Sequence, residues 1–189
     1  MRAAAGYPAS RPYVSPPGGR RRRGVPDRIG RYYVPLAVLE ATSAVMRRCG
    51  AERRECYVWW GGYFAGEDAQ VVTALWPDVA TQFGHVHLDT HELEAMHQRL
   101  RELDQVILAE LHTHPPDGGG QNQIDAAHPA TTYRGFISIV VPDFGEPRLH
   151  DLRTTHVYEY QGSGAWRDVA PAEIVERFVI EEPFMEIRP

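Results

Sequence analysis

The chain has 189 residues, 43% hydrophobic and 24% charged, with a formal net charge of −5. That is the composition of a globular protein with a real core, and it excludes a low-complexity or collagen-like chain. No apolar run reaches the roughly 20 residues of a membrane-spanning helix, and two cysteines, Cys49 and Cys56, argue against a disulfide scaffold.

Residues 1–30 hold seven arginines against Asp27 and are near +6, so the remainder is near −11 if the total is −5. An acidic body argues against nucleic acid as the main partner. The basic run Arg20 to Arg23 reads as part of a solvated tail. Residues 1–29 are rich in Pro, Gly and Arg, lack periodicity, and are expected to be a disordered basic tail. No apolar run follows their arginines, so they do not read as a secretory signal. The two cysteines suit a reducing cytoplasm and read as core thiols. The chain has no lysine, which fits an arginine-biased coding sequence.

The domain is expected over residues 30–180. Pro35 opens a helix, with Val38, Leu39, Thr42, Val45, Met46 and Cys49 on one face at three- and four-residue steps. Gly50 is its expected stop. Glu55 to Trp60 reads as a strand ended by Gly61-Gly62, and Ala69 to Trp76 as its neighbour. Trp59 and Trp60 adjoin, so they face opposite sides. His85 to Leu88 is a possible short extended piece. Asp89 caps a second helix whose buried stripe is Leu93, Met96, Leu100 and Leu103. Gln105 to Ala109 is a buried strand, and residues 135–141 a central one. His156 to Tyr160 and Ala165 to Val169 flank Gln161-Gly162-Ser163-Gly164 as a hairpin. Pro171 opens a last helix through Phe178; residues 181–189 form a tail without a clear state. Interleaved helices and strands predict a mixed α/β fold with helices on the faces of a mixed sheet.

The strand from Gln105 runs into His112-Thr113-His114-Pro115. Histidines two apart on a strand point to one side of the sheet. Pro115 stops the strand, and the Gly-rich loop 116–120 lets the chain return Asp125 to the pair. Two imidazoles and a carboxylate with a fourth position open make a catalytic rather than structural zinc site. A second cluster, His85, His87 and His91 around Asp89, lacks the stop and the returning carboxylate. It reads as an exposed helix entry. His128 follows the motif by three residues and can face either a groove or water.

His112-Thr113-His114-Pro115 with Asp125 eleven residues beyond His114 resembles the JAMM (MPN+, JAB-type) zinc metalloproteases, over roughly residues 31–180. Their signature is an upstream Glu, then His-x-His-Pro, then Ser-x-x-Asp. Glu110-Leu111 before the first histidine is similar to the bacterial branch. The resemblance implies the MPN/JAB domain, a curved mixed sheet flanked by helices and similar in layout to cytidine deaminases. It implies Zn2+ held by His112, His114 and Asp125.

It also implies Glu55 as general base, then acid. Glu52, in the charged turn Glu52-Arg53-Arg54, is a weaker competitor. Glu110 is a rival as base, or a partner that orients a ligand histidine. Asn122 stands where the family has the Ser that helps hold the oxyanion; an amide can donate there too. The activity implied is cleavage after the C-terminal Gly-Gly tail of a ubiquitin-like protein, in conjugates or in precursors. E1-like and E2-like proteins are implied as pathway partners. Release of sulfur-carrier proteins from C-terminal extensions, a non-catalytic MPN scaffold and the DNA-repair-associated branch remain alternatives.

Overall fold

A computed structural model describes residues 21–22, 24–77, 90–146 and 149–182. Its centre is a mixed sheet built from β1 (Arg21–Arg22), β2 (Tyr32–Pro35), β3 (Tyr57–Ala65), β4 (Asp68–Leu75), β5 (Val106–Thr113), β6 (Ile137–Val141), β7 (His156–Gly162), β8 (Ala165–Asp168) and β9 (Phe178–Glu181). The order is β8-β7-β6-β5-β3-β4-β2-β9, with β1 added antiparallel to β3 at Phe64 and Ala65, beyond the residues of β3 that pair with β5. β5 and β6 run parallel, as do β2 and its neighbours β4 and β9; the remaining pairs are antiparallel. The helices are α1 (Leu36–Ala51), α2 (Thr90–Glu102), α3 (Gln123–Ala127) and α4 (Pro171–Arg177).

Trp59 and Trp60 show why β3 needs a helix on each side. Both are fully buried. Trp60 joins the core of Val38, Leu39, Val45 and Met46 from α1, and its indole N–H donates to Thr42 Oγ1 at 3.0 Å. Trp59 joins Met96 and Leu100 of α2 and lies 4.9 Å, ring to ring, from His97. Adjacent strand residues point to opposite faces, so two large side chains demand two covers.

Several expected boundaries move, each for a local reason. Gly50 does not stop α1, which runs to Ala51; the left-handed residue that turns the chain is Arg53, with φ of 52°. Gly50 instead leaves room for the turn at residues 143–145, since a Cβ there would lie 2.5 Å from Phe144 O. Gly61-Gly62 does not end β3. The register shifts between Gly61 and Gly62 against β4 and between Trp60 and Gly61 against β5, and a Cβ on Gly62 would sit 1.9 Å from Gln70 O. The hairpin forms as expected between β7 and β8, turning at Ser163 and Gly164 with φ of 52° and 79°. β9 was not expected; it follows α4 directly and pairs with β2.

The expected disordered segment 1–29 also needs correction at its end. Ile29 is 4% exposed and belongs to the core, and Arg21–Arg22 pair with β3. Ile29 packs under Gly135, and its carbonyl accepts from Arg177 Nη2 at 3.3 Å. Arg177 is itself held by Glu159 and Glu173, and lies over the Tyr32 ring at 5.7 Å. This cluster ties the start of the domain to β7 and α4. His85, His87 and Asp89 lie outside the described residues, so their reading has no structural counterpart here. Among the described residues, no helix is long and apolar enough to cross a membrane.

Candidate metal centre

β5 is buried from Ile107 to Thr113, between β3 and β6. Its end carries His112, while His114 lies one residue past it and is still pinned by backbone bonds. The His114 N–H donates to Val141 O at 3.0 Å, and its carbonyl accepts from Phe144 N at 2.8 Å. The imidazoles are 6% and 4% exposed and 4.9 Å apart, ring to ring.

The loop that follows is shaped to bring α3 over them. Gly119 has φ of 65°, a conformation glycine adopts without strain. Its carbonyl lies 3.2 Å from His114 Nδ1. A carbonyl can only accept, so Nδ1 carries the proton and Nε2 presents a lone pair. Gly120 lies against Tyr158, whose hydroxyl accepts from Gln121 N at 3.1 Å. Trp166 of β8 holds α3 by donating to Ala126 O at 3.0 Å.

α3 delivers Asp125. Its Oδ2 is 3.3 Å from both His112 Nε2 and His114 Nε2. Ligand atoms of the three side chains lie within 4.8 Å of one another, and among the described residues no other group of three such side chains converges. A tetrahedral ion with bonds of about 2.1 Å sets neighbouring ligand atoms about 3.4 Å apart. The buried His112 Nε2 has no hydrogen-bond partner. A buried acceptor left without a partner costs free energy unless something fills the place. Spacing, donor set and this orphaned nitrogen all fit a metal ion. Asp125 is 19% exposed, so the group opens to solvent on the α3 side. Burial works against the Asp125 charge, but the two imidazoles and the Asn122 N–H outweigh it and hold the carboxyl well below the usual range. His114 is raised, chiefly by its hydrogen bond to Asp125.

Glu55 is 8% exposed and directly precedes Cys56. The β3–β5 register pairs Tyr57 with His112, and Thr113 N donates to Cys56 O, so the same register places Glu55 opposite His114. Its charge acts on the His114 imidazole. Glu52, the competitor, is exposed and paired with Arg54.

Glu110 is buried on β5, two residues before His112. Its Oε2 accepts from Tyr57 OH and from Ala130 N, both at 2.8 Å, rather than from a ligand imidazole. Burial raises its pKa, opposed by the Ala130 N–H, the His112 charge, Tyr57 and Ser138. It ties β3, β5 and the segment after α3 together. Asn122 is the N-cap of α3. Its Oδ1 accepts from Ile124 N and Asp125 N, and its own N–H donates to Asp125 Oδ2 at 2.9 Å. Only Nδ2 is left to donate elsewhere. His128 ends the same helix, with Nδ1 3.0 Å from Ile124 O. Tyr57, Tyr158 and Trp166 support the site but carried no motif signal. Tyr57 alone could have been placed, since period two puts it on the Glu55 face.

No protein-family model matches the chain. The fold is similar to the solution structure of protein DSY2949 from Desulfitobacterium hafniense, with a TM-score of 0.57 and 16% sequence identity. That match covers 80% of this chain and 94% of the other. At such identity the likeness is one of fold, a mixed α/β sheet flanked by helices.

Proposed function

We propose that the protein is a zinc-dependent isopeptidase with the MPN/JAB domain of the JAMM proteases, cleaving after the Gly-Gly tail of a ubiquitin-like protein in the cytoplasm. The observation that carries this is the convergence of His112 Nε2 and His114 Nε2 on Asp125 Oδ2, each at 3.3 Å, with buried Glu55 opposite His114. Zinc bound by these three would polarise the scissile carbonyl and acidify a water.

Glu55 is the residue that would accept a proton from the attacking water and return it to the leaving amine. Glu55 is 8% exposed, and the strand register sets it opposite His114, which suits it to this role. Gly119 keeps the His114 ring in the ligating tautomer. Asn122 Nδ2 is the donor available for the oxyanion. The flexible Gly-Gly tail enters as an extended segment, and small residues are what a strand-like approach to a buried site tolerates. E1-like and E2-like proteins are the partners this activity implies.

One observation favours a second reading, a binding module without catalysis. The Asn122 carbonyl is committed to capping α3, which limits where its amide can reach. The deciding experiment is cleavage of a ubiquitin-like protein fused through Gly-Gly to a reporter, beside a sulfur-carrier fusion. Zinc-loaded protein should cut after the second glycine, chelation should stop it, and zinc should restore it. Stoichiometric zinc with both fusions intact would leave only the binding module.

A further inference from the structure

Cys49 lies in the last turn of α1 and Cys56 one residue before β3, so the pair brackets the connecting turn. Cys49 is half-buried and Cys56 is 3% exposed. Their sulfur atoms are 2.6 Å apart. That is inside van der Waals contact and little longer than the disulfide bond of about 2.05 Å. Both ends are anchored. Cys56 N donates to Thr113 Oγ1, and Cys56 O accepts from Thr113 N. Cys49 O accepts from Glu52 N and Arg54 N, which closes the turn. The contact therefore belongs to a hydrogen-bonded frame.

We propose that Cys49 and Cys56 form a reversible dithiol site, oxidised to an intrachain disulfide by a low-molecular-weight disulfide of the glutathione class. Cys49, the accessible sulfur, attacks as a thiolate. One reagent thiolate leaves and takes up the proton Cys49 gave up. Cys56 then attacks Cys49 Sγ, expels the second reagent thiolate and passes it the Cys56 proton. Two electrons move from the protein to the reagent, which ends as two thiols.

The electrostatics agree with that order. The Cys49 thiol is lowered to about 7, first by the Cys56 hydrogen bond, against burial, with Arg54 and Arg48 assisting. Cys56 is pushed up by the same hydrogen bond and by burial. A partly accessible, low-pKa thiol beside a resolving one is the arrangement that exchange chemistry favours. The bond would tie the end of α1 to the residue after Glu55 with little rearrangement. The inference does not depend on the metal or on the activity proposed above.

The test exposes the metal-free full-length chain to oxidised glutathione and follows intact mass, alkylation of both cysteines and thermal melting. The wild type should lose two hydrogen masses, retain no adduct, resist alkylation at both positions and melt several degrees higher; dithiothreitol should reverse all four. Cys56→Ser should keep one glutathione on Cys49, and Cys49→Ser should take none. A persistent adduct on the wild type, two thiols that stay alkylatable, a disulfide between chains or a lower melting temperature would each overturn the proposal. Should Cys56→Ser not fold, the Cys49–Cys56 linked peptide from the wild type decides by its presence or absence.

Discussion

Asn122 and Asp125 hold each other in place: Asn122 Oδ1 accepts from Asp125 N at 3.0 Å, and Asn122 N donates to Asp125 Oδ2 at 2.9 Å. This reciprocal cap aims the carboxylate of the candidate metal group at the imidazoles of His112 and His114 at the end of β5. Asn122→Ala should therefore cost about 1 kcal/mol of stability and about tenfold in zinc affinity, as lost ligand orientation generally does. Asn122→Ser keeps a capping oxygen and should keep both, with turnover equal or higher. Chelator competition and thermal melts measure the two effects. Equal affinities for the Ala variant and the wild type would separate the cap from the metal.

Glu55→Gln removes a proton carrier without changing size. It should leave bound zinc at the wild-type level and lower turnover of a Gly-Gly fusion by about 100-fold or more. Metal analysis alongside a cleavage time course checks both halves. A variant with full activity would return the role of base to another residue.

Glu110 is bonded to Tyr57 and Ala130, so it should behave as a brace. Glu110→Ala leaves two partly buried donors without their acceptor and should cost about 1 kcal/mol for each. Zinc stoichiometry should not change. Denaturant melts and metal titration of the same sample decide between this and an orienting bond to His112, whose loss would weaken zinc binding instead.

Acidity should act in opposite directions on the metal-free and metal-bound protein. The depressed Asp125 contributes stability above its unfolded value, lost as pH falls towards its folded one. The raised His114 contributes stability below 6.5, lost as pH rises through its folded value. Both contributions overlap between about pH 4 and 6.5, so the metal-free protein should lose melting temperature on passing above that window. A bound cation requires neutral imidazoles, so the gain in melting temperature on adding zinc should grow from pH 6 to pH 8. A gain that stays flat across this range would mean the histidines are not the ligands.

Ile29 should matter more than its place in a Pro- and Arg-rich segment suggests. Ile29→Ala should cost about 2–5 kcal/mol, the usual range for emptying a core position. Deleting residues 1–29 should cost at least as much, whereas a deletion ending before the core residue spares that contact. Urea midpoints of the two truncations test this.

Local pattern carried the site further than it carried the sheet. Period two put His112 and His114 on one side, and proline after them predicted the end of the strand; both follow from backbone geometry within a few residues. The Asn122-x-x-Asp125 spacing is also that of a capping box, which the structure shows. The hairpin at Ser163-Gly164 was legible because its turn residues are adjacent in sequence.

The sequence by itself determined which residues could ligate a metal, which faces of α1 and α2 are apolar, and that helices and strands interleave. Only the tertiary structure decided that Ile29 is core, that Phe178–Glu181 is a strand beside β2, that Gly61-Gly62 bulges instead of ending β3, and that Glu110 bonds Tyr57 and Ala130. It also decided that Cys49 and Cys56 touch. The physical reason is the range of the interactions. Propensity and periodicity act over a few residues, whereas these outcomes depend on which distant segment arrives alongside, and each is stabilised only once both partners are in place.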